Sequence, residues 1–237
     1  MSSSPTYSPP SPRSRALRTL VIGASRGIGL ALAQQAVAAG EQVVATARDE
    51  SGLMTLGQLG ARAIKLDVTL PASVATLAWQ LDGAGFDRVF VNAGVFGPRL
   101  RTLDSPSVDD FDAVMHANVL GPMQVIPQLV DALAADARLL VMSSTLASIG
   151  GRQGPGSWLY SASKAALNSV LKDVALALAG RAICIAAHPG WVRTAMGGPG
   201  GQLEPAESAA DLRRLLDSLT PADNGGLFNH DGGVLPW

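Results

Sequence analysis

The chain has 237 residues, enough for one large domain with a substantial core. Hydrophobic residues make up 47% and charged residues only 16%, and the formal net charge is −1, which argues against a nucleic-acid or polyanion partner. The single cysteine, Cys184, excludes an internal disulfide framework, and no apolar run is long enough to span a membrane.

The first 14 residues hold six Ser and four Pro, a composition that cannot build a core. Residues 1–15 are therefore expected to form a disordered tail and residues 16–237 a single domain. Arg13, Arg15 and Arg18 with no acidic residue before Glu41 give a faint likeness to an organelle transit peptide. The Pro pairs oppose an amphipathic helix, and no secretory apolar region is present, so the cytoplasm is the expected location.

Strand and helix patterns alternate from there. Leu20-Val21-Ile22 is a short apolar strand ending at Gly23, and Ile28 to Ala39 is helical in composition, stopped by Gly40. Gln42–Ala47 and Ala63–Asp67 are predicted strands, and a helix starts near Pro71. Arg88–Asn92 is a fourth strand, ending at Ala93-Gly94. A long helix follows Ser107, with Asp109 and Asp110 favourable in its first turn, and Pro122 and Pro127 must kink or interrupt it. Leu139–Met142 is a fifth strand, Tyr160–Leu178 a strong helix and Ala182–Ala187 a sixth strand, in which Cys184 reads as a buried residue. A helix over about Ala206–Leu219 and an edge strand at Gly226-Leu227-Phe228 complete the pattern. The loop from Met196 to Glu204, rich in glycine, is expected to be too flexible for a fixed element, either a mobile lid or a poorly ordered connection. Alternation of this kind implies a mostly parallel seven-stranded sheet covered on both faces, a doubly wound α/β domain of Rossmann type.

Two motifs carry chemistry. In the first, Gly23-Ala24-Ser25-Arg26-Gly27-Ile28-Gly29 follows a strand and opens a helix. Glycine lets backbone approach a pyrophosphate, and the helix N-terminus offers free N–H groups. The spacing differs from the usual dinucleotide fingerprint, and a purely structural turn is the alternative. The end of the second strand, Thr46-Ala47-Arg48, has no acidic residue to bind a ribose 2′-hydroxyl. Arg48 can pair with a 2′-phosphate, and Arg26 can add a second charge, so NADP(H) is expected over NAD(H). Asp49 is the dissenting feature, because a shift of register would put a carboxylate there.

In the second motif, Tyr160 and Lys164 lie four residues apart, on one face of a helix. Carbonyl reduction needs a hydride at carbon and a proton at oxygen, and a positioned acid must bring the proton. A free tyrosine titrates near 10, and an adjacent ammonium is expected to lower that value. Tyr7, the other tyrosine, falls in the tail. His116, His188 and His230 are scattered without ligand spacing, so no metal site is expected.

With these motifs, the chain from Arg18 to Trp237 resembles the short-chain dehydrogenase/reductase family. Matching stretches are Asp67-Val68, Asn92-Ala93-Gly94, Asn118, Ser143-Ser144 and Pro189-Gly190-Trp191-Val192-Arg193-Thr194. The segment Ser163–Asn168 and the end Asp231–Trp237 look closest to C-factor-like and sniffer-like carbonyl reductases. The resemblance implies that Asp67 and Val68 hold an adenine and that Asn92, Ala93 and Gly94 line the cofactor cleft. It places Pro189, Gly190, Val192 and Thr194 at the nicotinamide. It makes Tyr160 the acid/base, has Lys164 tune it and hold the nicotinamide ribose, and gives Asn118 a water that links the lysine to solvent. Ser144 is the expected substrate-orienting hydroxyl, with Ser143 and Ser148 as competitors. The 16 positions from Ser144 to Tyr160 exceed the family's usual gap, the extra residues falling in Gly150–Trp158. Phe96, Leu100, Trp158, Trp191 and Met196 could line an apolar substrate pocket or pack in the core. Arg99 and Arg101 could meet an anionic substrate or be solvated.

The function expected is therefore interconversion of a small-molecule carbonyl and alcohol. The alternative is a nucleotide-binding signalling or sensor protein with the same fold and little turnover. A nucleotide-sugar epimerase or dehydratase is disfavoured, since little chain remains for a sugar-binding domain. Relatives pair the helices after Ser107 and from Tyr160, so a homodimer, or a homotetramer, is expected.

Overall fold

A computed structural model describes residues 15–99 and 103–237. The Ser/Pro segment 1–14, with Tyr7, and the proposed pocket residues Leu100 and Arg101 lie outside the described residues.

In chain order the elements are β1 (Arg18–Ile22), α1 (Gly27–Ala38), β2 (Gln42–Ala47), α2 (Glu50–Gln58), β3 (Arg62–Lys65), α3 (Pro71–Val74), α4 (Leu77–Gln80), β4 (Phe86–Val91), α5 (Val108–Met115), α6 (Gly121–Leu129), β5 (Leu133–Met142), α7 (Trp158–Ala177), β6 (Ala182–His188), α8 (Pro205–Ser218), β7 (Leu227–Asn229) and β8 (Val234–Leu235). They form one sheet in the order β3-β2-β1-β4-β5-β6-β7-β8. All neighbours are parallel except β7 and β8. The sheet thus has eight strands where seven were expected. The extra strand is only two residues long, Val234-Leu235, too short to leave a period-2 pattern in the sequence.

Successive strand residues face opposite layers. Leu20, Ile22, Val89, Val91, Leu139 and Val141 pack under α6 and α7, with Val125, Leu129, Leu167 and Leu171. Val21, Phe90, Leu140 and Ile185 pack on the other face, with Leu32 and Ala36 of α1 and Leu212 and Leu216 of α8. Leu20, Leu139 and Leu140 are wholly buried, and each such side chain stabilises the fold by about 1.5–3 kcal/mol. Cys184 is likewise buried in this core as a free thiol.

Three local departures matter for the site. First, α2 was not predicted, because its nine residues include Gly52 and Gly57 and carry a weak apolar face. Second, the long helix after Ser107 is interrupted: residues 116–120 widen into a π turn between α5 and α6. There the Gly121 N–H reaches His116 C=O, five residues back. Pro122 has no N–H, so the Asn118 carbonyl loses its α-helical donor. Third, the glycine-rich stretch after Thr194 forms no regular element but is tied back by hydrogen bonds and an isolated Val192–Leu203 bridge. Arg193 N–H donates to Leu203 C=O at 2.9 Å, Trp191 Nε1 to Gly197 C=O at 2.8 Å, and Gly198 N–H to Thr194 C=O at 2.8 Å. Its glycines let the backbone fold onto itself; a Cβ on Gly197 would lie 2.1 Å from Val192 O.

Candidate active site

The site lies at the C-terminal edge of the sheet, where β1, β2, β4, β5 and β6 all end. The turn from β1 into α1 is built by close approach. Gly23 adopts φ +83°, and a Cβ there would sit 2.8 Å from Ala93 Cα. Gly29 has no room for a side chain, since a Cβ would lie 2.1 Å from Gly23 O and 2.6 Å from Asn92 Nδ2. Asn92 Nδ2 donates to Gly23 O at 2.6 Å, and Gly23 N–H donates to Thr46 Oγ1 at 2.9 Å. These contacts clamp the ends of β1, β2 and β4 together and aim the start of α1, Gly27 and Ile28, into the cleft. Gly27, at φ +56°, faces the Thr194 methyl, which a Cβ would approach to 3.2 Å. Two stretches remote in sequence, the Gly-rich turn and Pro189–Thr194, therefore form opposite walls of one cleft. Ser25 lies beside Ala47 at the end of β2, both close to Gly52.

The acidic residue that could have occupied the end of β2 is used elsewhere. Asp49 caps α2, its Oδ1 accepting from Gly52 N–H and Ser51 Oγ at 2.8 Å each. Those hydrogen bonds, with Arg48 and Arg26 nearby, hold its carboxyl below the ordinary value. Arg26 and Arg48 are exposed, and neither guanidinium donates a hydrogen bond to a described residue. Asp67 follows β3. Burial acts to raise its carboxyl, but hydrogen bonds from Thr69 and the charge of Arg48 prevail and lower it. Val68 packs at 3.2 Å against the position a Gly121 Cβ would take.

The structure brings Ser144, Tyr160, Lys164 and Asn118 to one place. Tyr160 and Lys164 are 8% and 4% exposed, on the buried face of α7. The Tyr160 phenol lies near Ser144, whose hydroxyl acts to lower it, and Ser144 Oγ accepts from Leu146 N–H at 3.1 Å. Ser143 points away into the core, donating to Asn168 Oδ1 at 2.6 Å, and Ser148 accepts from Gly151 N–H at 2.9 Å. Strand alternation explains this division: Ser143 shares the α7-facing side with Val141, leaving Ser144 at the strand's open end. The long connection to α7 is pinned outside the cleft, with Gly150 N–H donating to Trp237 O at 2.9 Å and Arg152 to Leu146 O at 2.9 Å.

Lys164 Nζ donates to Met142 O at 2.8 Å and lies 5.8 Å from the Tyr160 ring centroid. The expected lowering of the tyrosine by this ammonium is not found. Burial pushes the phenol up to about 12, only partly opposed by the nearby Ser144 hydroxyl. Burial likewise pushes Lys164 down to about 8. The cause is that both charged forms are removed from water, while the ammonium sits behind the ring at Met142.

Asn118 is fully buried. Its Oδ1 accepts from Val95 N–H at 2.8 Å, and its Nδ2 donates to Val95 O at 2.8 Å and Ser163 Oγ at 2.9 Å. Ser163 Oγ in turn donates to Tyr160 O at 2.8 Å. Gly94 is the spacer: a Cβ on it would lie 3.0 Å from Asn118 Oδ1 and 3.4 Å from Lys164 Nζ. Sequence reasoning missed the parts played by Ser163 and Thr46. Ser163 stands three residues after Tyr160 on the same helix face, which was the available signal; Thr46 reads as an ordinary strand residue.

Pro189 O accepts from Ser208 Oγ at 2.7 Å, and Gly190, at φ +82°, meets Leu203 and His230 where a side chain would stand. Val192 is 4% exposed, and Thr194 Oγ1 accepts from Gly197 N–H at 3.0 Å. Over the mouth, Phe96 stacks on Tyr160, whereas Trp158, Trp191 and Met196 remain partly exposed. Among the described residues no cluster of three or more His, Cys, Asp or Glu could hold a metal, and no helix is long and apolar enough to cross a membrane.

A doubly wound sheet with a glycine-clamped strand–helix turn beside a buried tyrosine–lysine pair defines a dinucleotide-dependent oxidoreductase. The family model described as enoyl-(acyl carrier protein) reductase matches residues 23–226, and the chain belongs to the short-chain dehydrogenase/reductase family. It is similar to a short-chain dehydrogenase/reductase from Burkholderia multivorans crystallised with bound NADP, at TM-score 0.85 and 34% identity over 94% of this chain and 100% of that one. It is also similar to the carbonyl reductase Sniffer of D. melanogaster, at TM-score 0.84 and 26% identity over 94% and 100% of the two chains. C-signal of Myxococcus xanthus is 31% identical over 154 residues, 64% of this chain and 92% of that protein.

Proposed function

We propose that the protein is an NADP(H)-dependent carbonyl reductase or alcohol dehydrogenase acting on a small molecule. The observation that carries this reading is the buried Tyr160 beside Ser144, with Lys164 and the Asn118–Ser163 pair behind it, beside the Gly23–Gly29 turn. The residues fit the cofactor. The Cβ-free surfaces of Gly23, Gly27 and Gly29, with Ser25 and Ile28, would hold the pyrophosphate at the start of α1. Arg26 and Arg48, cations without a bonded carboxylate, would take the 2′-phosphate, and Asp49 is engaged by its own helix. Asp67 and Val68 would hold the adenine, Asn92, Ala93 and Gly94 the cleft floor, and Pro189, Gly190, Val192 and Thr194 the nicotinamide, with Lys164 at its ribose. NADPH held there would supply the hydride.

A phenol held up near 12 stays protonated at neutral pH, which is the form that donates to a developing alkoxide. Ser144 orients the carbonyl against it. Lys164, brought near 8, gains and loses a proton within the working range and can support the phenolate after transfer. The Asn118 carbonyl, deprived of its helical donor by Pro122, is available to a water that relays protons from Lys164. Exposed Phe111, Leu120 and Met123 on the α5–α6 face suit the proposed homodimer, which light scattering would test against a monomer or tetramer. The unpaired thiol of Cys184 suits a reducing, cytoplasmic setting.

Paired titrations of NADPH and NADH by nicotinamide fluorescence, followed by NADPH oxidation with aldehydes, ketones and quinones, test the reading. Tight NADPH binding, weak NADH binding and turnover are expected. Preference for NADH would overturn the cofactor assignment. The similarity to C-signal favours a second reading, a nucleotide-binding signalling protein; tight NADPH binding with no turnover across the panel would support it.

A further inference from the structure

We propose that Phe96 and Arg99 form the substrate-reading wall of this site, and that it takes a flat aromatic carbonyl compound bearing an anionic group. The inference rests on the reductase reading above. Phe96 stands two residues beyond Gly94, on the loop leaving β4. Its ring lies 4.6 Å from the Tyr160 ring, at 25° between planes. The proton-donating tyrosine therefore presents its face to Phe96, and an aromatic substrate that reaches Ser144 and Tyr160 meets the edges of this ring pair.

Arg99 supplies the charge. Its guanidinium lies 4.9 Å from the Phe96 centroid, and its Nη2 donates to Met196 O at 2.8 Å. Those two contacts hold the group across the mouth of the cleft, one intervening ring from Tyr160, between the loops that follow β4 and β6. Arg99 has no carboxylate partner among the described residues, and most of its N–H donors are uncommitted. Lys164 is buried and bonded to Met142, so it cannot serve an incoming anion in this way. A cation fixed in advance by stacking and one backbone bond costs little further ordering when it pairs with a carboxylate.

The test compares 4-acetylbenzoate with its methyl ester on the full chain. Reduction is followed with NADPH, and ligand binding is measured by calorimetry with saturating NADP⁺, which needs no turnover. The acid is expected to bind and react about five- to tenfold better than the ester, an advantage that shrinks at high salt. Arg99→Gln should bring the acid-to-ester ratio near one through KM for the acid, and Phe96→Ala should weaken binding of both. Arg152→Gln, which removes an exposed arginine from the loop after Ser144, should leave the ratio intact. Equal binding of acid and ester to the unaltered protein overturns the proposal, as does an Arg152→Gln effect matching that of Arg99→Gln. Preferred binding of the acid with no reduction of either compound would instead retain this wall and sink the reductase reading.

Discussion

Several arginines at the two ends of the sheet are used in opposite ways, although Arg193 at the C-terminal end pairs with Glu204. At the N-terminal ends of β1, β2 and β4, the Glu41 side chain is 4% exposed and receives Arg88, Arg213 and Thr19, and Arg88 also reaches Asp217. Arg15 grips Asp87 there through both carboxylate oxygens, at 2.9 and 3.0 Å. At the C-terminal ends, Arg26, Arg48 and Arg99 have no carboxylate bonded to them among the described residues. A buried cation with a partner fastens elements together, and removing one partner strands the other charge. A cation left without one is available to a ligand.

Disturbing either end should separate the two roles. The largest effect is expected from Tyr160→Phe, which should cut carbonyl reduction by about a thousandfold while NADPH fluorescence titrations change little. Loss of binding together with activity would show misfolding and break the assignment. Glu41→Gln at the opposite end should cost about 3 kcal/mol in urea unfolding and leave NADPH affinity unchanged. Burial acts to raise this carboxyl, but hydrogen bonds from Arg213 and Thr19 and the charges of Arg213 and Arg88 prevail and hold it below 4.5. Its stabilisation is therefore complete above pH 4.5 and is lost as pH falls through the lower folded value, so Glu41→Gln should flatten the acid limb of a stability profile. Arg48→Ala should weaken NADPH by about tenfold and leave NADH unaffected. An equal loss for both cofactors would remove Arg48 from the 2′-phosphate. The smallest effect is in pH. Reduction should decline as pH rises through about 8, where Lys164 loses its proton, and a profile flat to pH 10 would deny the lysine that part.

Legibility in the sequence differed along the same axis. The core strands announced themselves because parallel strands buried on both faces are continuous apolar runs. The glycine turn and the Tyr160/Lys164 pair were visible because each is local: a close approach needs glycine, and a helix turn sets the spacing. The Met196–Glu204 stretch reads in the sequence only as irregular, whereas the close approaches of Gly197 and Gly201 to Val192 and Arg193 emerge in three dimensions. The pKa of Tyr160 was misread in direction, because burial acts through elements far from it in sequence.

The sequence by itself determined the alternation of strands and helices, the turn that opens α1 and the residue types able to move a proton. These follow from periodicity, backbone sterics and side-chain chemistry within a few neighbouring positions. Only the tertiary structure decided which serine meets Tyr160, that Asp49 is spent on a helix cap, and that Thr194 faces Gly27 and Arg99 spans to Met196. Apart from the Asp49 cap, which closes on residues two and three positions away, each of those is a meeting of segments whose separation along the chain carries no information about their distance in space.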